Sequence, residues 1–190
     1  MKKGQLIELP IHGTAFKGKG VGRYEERAVF VKGAVPGDVV KARIIKKKKS
    51  FLEAKLLKII DTSEDRITPK CQHAGVCGGC SWQQVPYEKQ LAYKRQQVED
   101  HIRRIGKCDT LVNDTLPCEQ TFYYRNKMEF SFGTHNNQLT LGLKQRGKFD
   151  QIIPTTHCLL LSKESDNIRE WIRAYFDRKK MSSWDYHTYK

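Results

Sequence analysis

Cys71-Gln72-His73-Ala74-Gly75-Val76-Cys77-Gly78-Gly79-Cys80 sets three thiols in a glycine-rich turn between two polar, well-charged segments. Soft ligands at this spacing read as part of a metal site, since four of them can surround an iron or zinc centre without a large apolar core. The glycines at 75, 78 and 79 are expected to supply the positive φ angles that let a short loop wrap a cofactor. The other cysteines are Cys108, Cys118 and Cys158. Much of the functional reading depends on which of them completes the set.

Outward from this turn, composition narrows the class. The 190 residues are 38% hydrophobic, enough for two small cores but not for one oily interior. No apolar run is long enough to cross a membrane, and Met1-Lys2-Lys3-Gly4-Gln5 opens no apolar signal region, so a cytoplasmic protein without a membrane partner is expected. In that reducing compartment a C-x5-C-x2-C cluster is better explained by metal ligation than by disulfides.

Charge is unevenly spread. Residues 1–60 hold 15 Lys and Arg against 5 Asp and Glu, so they carry +10 of the net +14. A concentrated positive field attracts polyphosphate chains by counterion release, which makes nucleic acid the leading partner class. No amphipathic basic helix accompanies the charge, which argues against an anionic membrane surface.

Residues 4–60 contain short β-like runs at 5–9, 27–32, 38–46 and 51–60, separated by turn residues, and predict a small barrel. Val35-Pro36-Gly37-Asp38 has the pattern of a type II turn. Phe16-Lys17-Gly18-Lys19-Gly20-Val21-Gly22-Arg23 reads as a loop whose glycines bring backbone near phosphates, with Lys17, Lys19 and Arg23 as contacts and aromatic rings at both flanks. A glycine-rich hairpin without a ligand is the alternative. Lys46, Lys47, Lys48 and Lys49 form a second basic tip. Gly18 to Gly22 followed by Val29-Phe30-Val31-Lys32-Gly33-Ala34-Val35-Pro36-Gly37-Asp38 resembles a TRAM domain, an OB-like barrel found in RNA-modifying enzymes.

Residues 61–70 read as a polar linker. A helix is predicted over 86–106, with Pro86 in its first turn, a narrow apolar face of Leu91, Val98, Ile102 and Ile105, and Gly106 as its stop. Such a narrow face suits packing along another domain. From Tyr123 to Ile153 the pattern predicts a β-meander with strands at 124–132, 138–144 and 149–153. In its first strand Arg125 and Lys127 lie on a polar face that either touches RNA or is simply solvated. Ser162 caps a final helix whose Ile168, Trp171, Ile172, Tyr175 and Phe176 are expected in the core.

Cys158, which follows the meander and precedes the last helix, is taken as the fourth ligand beside Cys71, Cys77 and Cys80, although spacing alone does not decide it. Four thiolates suit a 4Fe-4S cluster or a structural zinc, and His73 or His157 offers an alternative zinc ligand. The C-x5-C-x2-C after a TRAM-like unit, Tyr124-Arg125-Asn126-Lys127-Met128-Glu129-Phe130, Leu141-Gly142-Leu143 and the late Cys158 together resemble the RNA uracil-5-methyltransferases of the ribosomal-RNA type.

That resemblance implies a 4Fe-4S cluster on four cysteines, 23S rRNA as partner, and a chain corresponding to an N-terminal portion. An AdoMet-binding domain with the catalytic residues would then lie outside it, leaving this piece inactive by itself and S-adenosylmethionine bound elsewhere. The family commonly has one more residue between its first two cysteines.

The expected architecture is α+β: an OB-like β-barrel over 1–60, then a mixed antiparallel-sheet and helix iron-sulfur domain over 61–190, monomeric, with helix 86–106 packing on the methyltransferase domain. A stand-alone RNA-binding protein with structural zinc and a tRNA uracil-5-methyltransferase are the alternatives. A radical-AdoMet enzyme is disfavoured, because its usual C-x3-C-x2-C motif leaves one iron open whereas four thiols are at hand here.

Overall fold

The computed structural model describes residues 1–184 and divides the chain into two compact units. The first comprises Met1–Pro69 and Ser81–Pro117; the second comprises Lys70–Cys80 and Cys118–Lys190, of which 185–190 lie outside the described residues. This differs from the expected single boundary near residue 60. The cysteine turn leaves the first unit, and the helix after it returns there.

The first unit is built on a closed barrel of β1 (Leu6–Ala15), β2 (Lys19–Tyr24), β3 (Arg27–Lys32), β4 (Val39–Lys47) and β5 (Phe51–Asp61) in the order β1-β2-β3-β5-β4. β1 closes it by pairing with β4 through residues 6–10 and with β2 through its second half, after an irregularity between Ile11 and Gly13. Alternate residues point inward: Ile7, Leu9 and Ile11, Val29 and Val31, Val40, Ala42 and Ile44, Leu52 and Ala54 form the core, each at most 2% exposed.

The expected loop at 16–23 proves to be mostly strand. Only Phe16–Gly18 forms a tip, with Lys17 at φ 64°, and β2 begins at Lys19. Gly20 and Gly22 are packing glycines. A Cβ on Gly22 would sit 2.5 Å from the Pro10 carbonyl oxygen, and one on Gly20 would sit 2.9 Å from both Ala34 and Ile11. Composition mimics a flexible loop here because barrel closure leaves no room for side chains.

The expected linker is also structural. Asp38, 0% exposed, accepts from Val35 N–H (2.7 Å), Ser63 N–H (3.1 Å) and both arms of the Arg66 guanidinium (2.8 and 2.7 Å), while Arg66 also donates to the Gly33 carbonyl. This ties residues 63–66 beneath the turn at 35–38.

Helix α1 (Tyr87–Arg104) has no buried residue. Its ties to the barrel unit are largely polar: Tyr93 O–H donates to Asp65 (2.6 Å), Gln97 to the Thr14 hydroxyl (2.8 Å), and Lys89 pairs with Asp65 (3.0 Å). Trp82 makes an edge contact with Tyr93 and donates to the Gly18 carbonyl.

The second unit carries an antiparallel sheet β6 (Ser131–His135), β7 (Gln138–Lys144) and β8 (Ile152–Pro154), then α2 (Lys163–Arg178). The meander appears in the predicted order, but its first strand starts only at Ser131. Residues 123–130 run irregularly, with Tyr123 and Arg125 N–H groups donating to the Leu159 and Leu160 carbonyls. Ser162 caps α2 as expected, its hydroxyl accepting from Ser165 N–H.

The expected burial of the α2 aromatics is overturned in part. Ile168, Trp171 and Tyr175 are 61, 64 and 40% exposed, whereas Asp166 and Arg169 are the buried residues of the helix. Phe176 does contact Phe132, with ring centroids 4.7 Å apart.

Candidate nucleic-acid interface and cysteine centre

On the barrel, the predicted basic residues are spread over two places. Lys17 is exposed at the β1–β2 tip beside Phe16, itself 72% exposed, with the ammonium 5.6 Å from the ring centroid. Lys46 and Lys47 end β4, and Lys48 and Lys49 form the exposed turn that follows. Lys19 pairs with Glu53 at 3.1 Å, and Arg23 stands 3.8 Å from Glu26 at an exposed position. The Glu53 carboxyl is held below its ordinary range, first by the Lys19 hydrogen bond and also by the charges of Lys46 and Lys48. Three lysines thus act on this one carboxyl.

Cross-strand register adds residues that a linear reading passes over. Lys19 faces Lys32, Lys32 faces Lys55, and Lys55 faces Arg43. No local sequence signal marks this row, because its members come from four strands.

In the second unit the cysteine turn docks on the sheet. Cys77 bridges to Gln145, Gly78 N–H donates to the Lys144 carbonyl (3.1 Å), and Arg146 N–H donates to the Val76 carbonyl (2.8 Å). The Arg146 guanidinium also donates to the carbonyls of Cys77 and Cys80, fixing both ends of the C-x2-C. Of the three glycines expected at positive φ, only Gly75 adopts it, at 85°. Gly78 instead lies close to β7, where a Cβ would make a tight 3.2 Å contact with the Lys144 oxygen.

Cys77 and Cys80 pack against the same small apolar cluster as Cys158, with Leu143, Leu160, Met128 and Phe130. Burial pushes the Cys77 thiol up, the Gly79 N–H opposes this, and the Cys80, Cys158 and Cys71 thiols push it further up. Cys108 and Cys118 are exposed, and no disulfide forms among the described residues. Four sulfur donors gathered in one unit fit an iron-sulfur cluster or zinc in kind. Among the described residues, no group of three His, Cys, Asp or Glu side chains is placed to hold a metal ion.

The two histidines are engaged elsewhere. His157 Nδ1 lies 2.5 Å from Asp166 Oδ2, and His73 Nε2 accepts from Thr156 N–H at 3.3 Å. Burial and the neighbouring Arg169 and His157 charges push the His73 imidazole below its ordinary range. Asp166 and Arg169 are features the sequence did not flag. Asp166 accepts from Cys158 N–H (3.1 Å), and Arg169 donates to the Thr156 carbonyl (2.9 Å) and lies over the Phe130 ring. Together they hold the backbone on both sides of His157. Arg125 and Lys127 are exposed on irregular chain, and Lys127 pairs with Glu129.

Residues 1–57 match the TRAM domain. The chain is 37% identical over 176 residues to an uncharacterized RNA methyltransferase of Bacteroides thetaiotaomicron, covering 85% of this chain and 39% of that protein. To RNA methyltransferases of Listeria innocua and Caldanaerobacter subterraneus it is 39 and 37% identical, over 87 and 95% of this chain and 36 and 41% of theirs. The chain thus spans about two fifths of the length of these curated relatives. Its fold is similar to that of part of Pyrococcus abyssi tRNA (uracil-54, C5)-methyltransferase, solved with S-adenosyl-L-homocysteine: TM-score 0.69, 22% identity, 96% of this chain and 40% of that one. No helix among the described residues is long and apolar enough to cross a membrane.

Proposed function

We propose that this chain is the RNA-binding and 4Fe-4S-binding N-terminal part of a cytoplasmic, AdoMet-dependent methyltransferase that makes 5-methyluridine in 23S rRNA. The observation that carries the reading is the pairing of a basic TRAM barrel with a second unit in which Cys77, Cys80 and Cys158 share one apolar cluster. The barrel holds RNA through Lys17, Lys19, Arg23 and the lysines at 46–49, with Arg125 and Lys127 as outlying contacts. Cys71, Cys77, Cys80 and Cys158 hold the cluster. Such a cluster, when bound, would supply a crosslink between two separated segments of the second unit, the 71–80 turn and the stretch around Cys158, and full thiolate ligation suits a structural role. AdoMet binding and the chemical step belong to sequence outside these 190 residues, and no residue here is assigned to catalysis.

The fold shared with the Pyrococcus abyssi enzyme favours a second reading, in which the substrate is tRNA. Iron, zinc and acid-labile sulfide analysis of protein purified without oxygen tests the cofactor: about four irons and four sulfides per chain support the cluster, and one zinc without sulfide replaces it by a structural zinc. Methyl transfer by the full-length gene product to 23S rRNA or to tRNA then separates the two substrates, and transfer to neither rejects both.

A further inference from the structure

The barrel register brings together a basic row that crosses four strands: Lys19 on β2, Lys32 on β3, Lys55 on β5 and Arg43 on β4. Residues paired across a sheet share a face, and here that face is the outer one. Val31, Ala42 and Ala54, each adjacent in sequence to a member of the row, point into the core, while Lys32, Arg43 and Lys55 are exposed. At roughly 4.8 Å between strands the row spans about 14 Å, the length of two to three phosphates of an extended strand. Next to it runs a second row in which Phe30 faces Glu53 and Glu53 faces Lys46. Phe30 and Phe51 meet edge to face with centroids 5.5 Å apart, both half-buried. Glu53, a carboxylate within the second row, is paired with Lys19 at 3.1 Å.

Resting on the RNA-binding reading above, we propose that this cross-strand row, Lys32, Lys55 and Arg43 with Lys19 at its end, is the track for the backbone of unpaired RNA, with Phe30 and Phe51 beside it as base-stacking surfaces. Charge complementarity selects a polyanion, and the adjacent rings select a strand whose bases are turned outward, which a duplex does not offer. The row also explains why the positive charge of the first 60 residues persists outside the two basic tips. Lys32 ends β3 and Lys55 lies within β5, at positions that the register pairs.

Fluorescence anisotropy with a labelled oligouridine, measured over a salt series on the whole chain, tests this. Lys32→Gln, Arg43→Gln and Lys55→Gln are each expected to weaken binding about three- to tenfold and to flatten the log–log salt slope by about 0.7. Lys94→Gln on α1, which removes the same charge away from the row, is the control and is expected to change affinity less than twofold. Circular dichroism of each variant checks that the barrel remains folded. If the parent chain binds no RNA, the underlying reading fails. If it binds but the three row variants behave like Lys94→Gln, RNA binding stands and the track is rejected. A duplex of equal length that binds as tightly as oligouridine, with the same response to the row variants, also overturns the preference for unpaired RNA.

Discussion

The two units bury charge in different ways. In the barrel, Asp38 is fully enclosed, and Val35, Ser63 and Arg66 together satisfy both of its oxygens. In the second unit, Asp166 and Arg169 are buried as a pair 3.2 Å apart, yet Asp166 Oδ1 and Arg169 Nη1 make no hydrogen bond. The apolar cores differ likewise. Eleven buried residues form the barrel cluster, whereas Leu143, Cys158 and Leu160 form the other, with two further cysteines at its edge. A closed barrel removes sheet edges and collects one inward face from every strand. A three-stranded open sheet with one capped helix has less to bury, and such units often need a crosslink or metal.

The largest effect expected from this contrast is at the barrel ion pair. Arg66→Ala strands a buried carboxylate and should cost about 3–5 kcal/mol, read as loss of hydrogen-exchange protection in β1 to β5. Asp166→Asn, at a site already imperfectly bonded, should cost about 1–3 kcal/mol. Equal losses at the two sites would erase the contrast.

Cys77→Ser sharpens the comparison from the other side. On the cluster reading proposed above, it should abolish cluster loading and lower protection in β6 to β8 while leaving β1 to β5 unchanged; a second unit equally protected with and without metal would show that its small core suffices.

Packing glycines come next. Gly22→Ala forces a Cβ against the Pro10 carbonyl and Leu9 and should cost about 1–3 kcal/mol, whereas Gly13→Ala, with nothing within 4 Å, should stay within about 0.5 kcal/mol. Thermal melts of the two variants separate a packing role from a loop role. Ser162→Ala, which removes the α2 cap, should cost about 1 kcal/mol confined to the second unit.

The pH response is the subtlest. Burial alone would raise the Asp38 carboxyl, but the Arg66, Val35 and Ser63 hydrogen bonds outweigh it, and the group is held below its ordinary range. Its folded value being depressed, the stabilisation is complete above the unfolded carboxylate range and is lost as pH falls through the lower folded value. Barrel stability should therefore be flat near neutrality and decline below about pH 4. Asp38→Asn should remove that contribution to the acid limb, and an unchanged limb would assign it to other carboxylates.

Short β-like runs separated by turn residues made four of the five barrel strands legible in part, and the Ser162 cap and the change of period after Tyr123 made α2 and the meander so. β2 escaped notice because glycine is the signature both of a loop and of a closely packed strand. The strand expected over 124–132 failed at its start because its alternating residues meet no partner strand: the backbone of 123–125 is taken up by Leu159 and Leu160 instead. The exposed stripe on α2 misled for the opposite reason. A helical period reports that one face is apolar, not that the face is covered, and here Asp166 and Arg169 take the inside.

By itself, the sequence determined most of the barrel's strand runs, the clustering of basic charge in the first 60 residues and the three-cysteine turn, because residue preference, composition and short spacing are local properties of the chain. Tertiary structure alone decided that Arg66 closes on Asp38, that Cys158 joins Cys77 and Cys80, and that Lys19, Lys32, Lys55 and Arg43 form one row. Each of those unites residues separated by many positions, and strand register or chain return, not sequence distance, sets which of them meet.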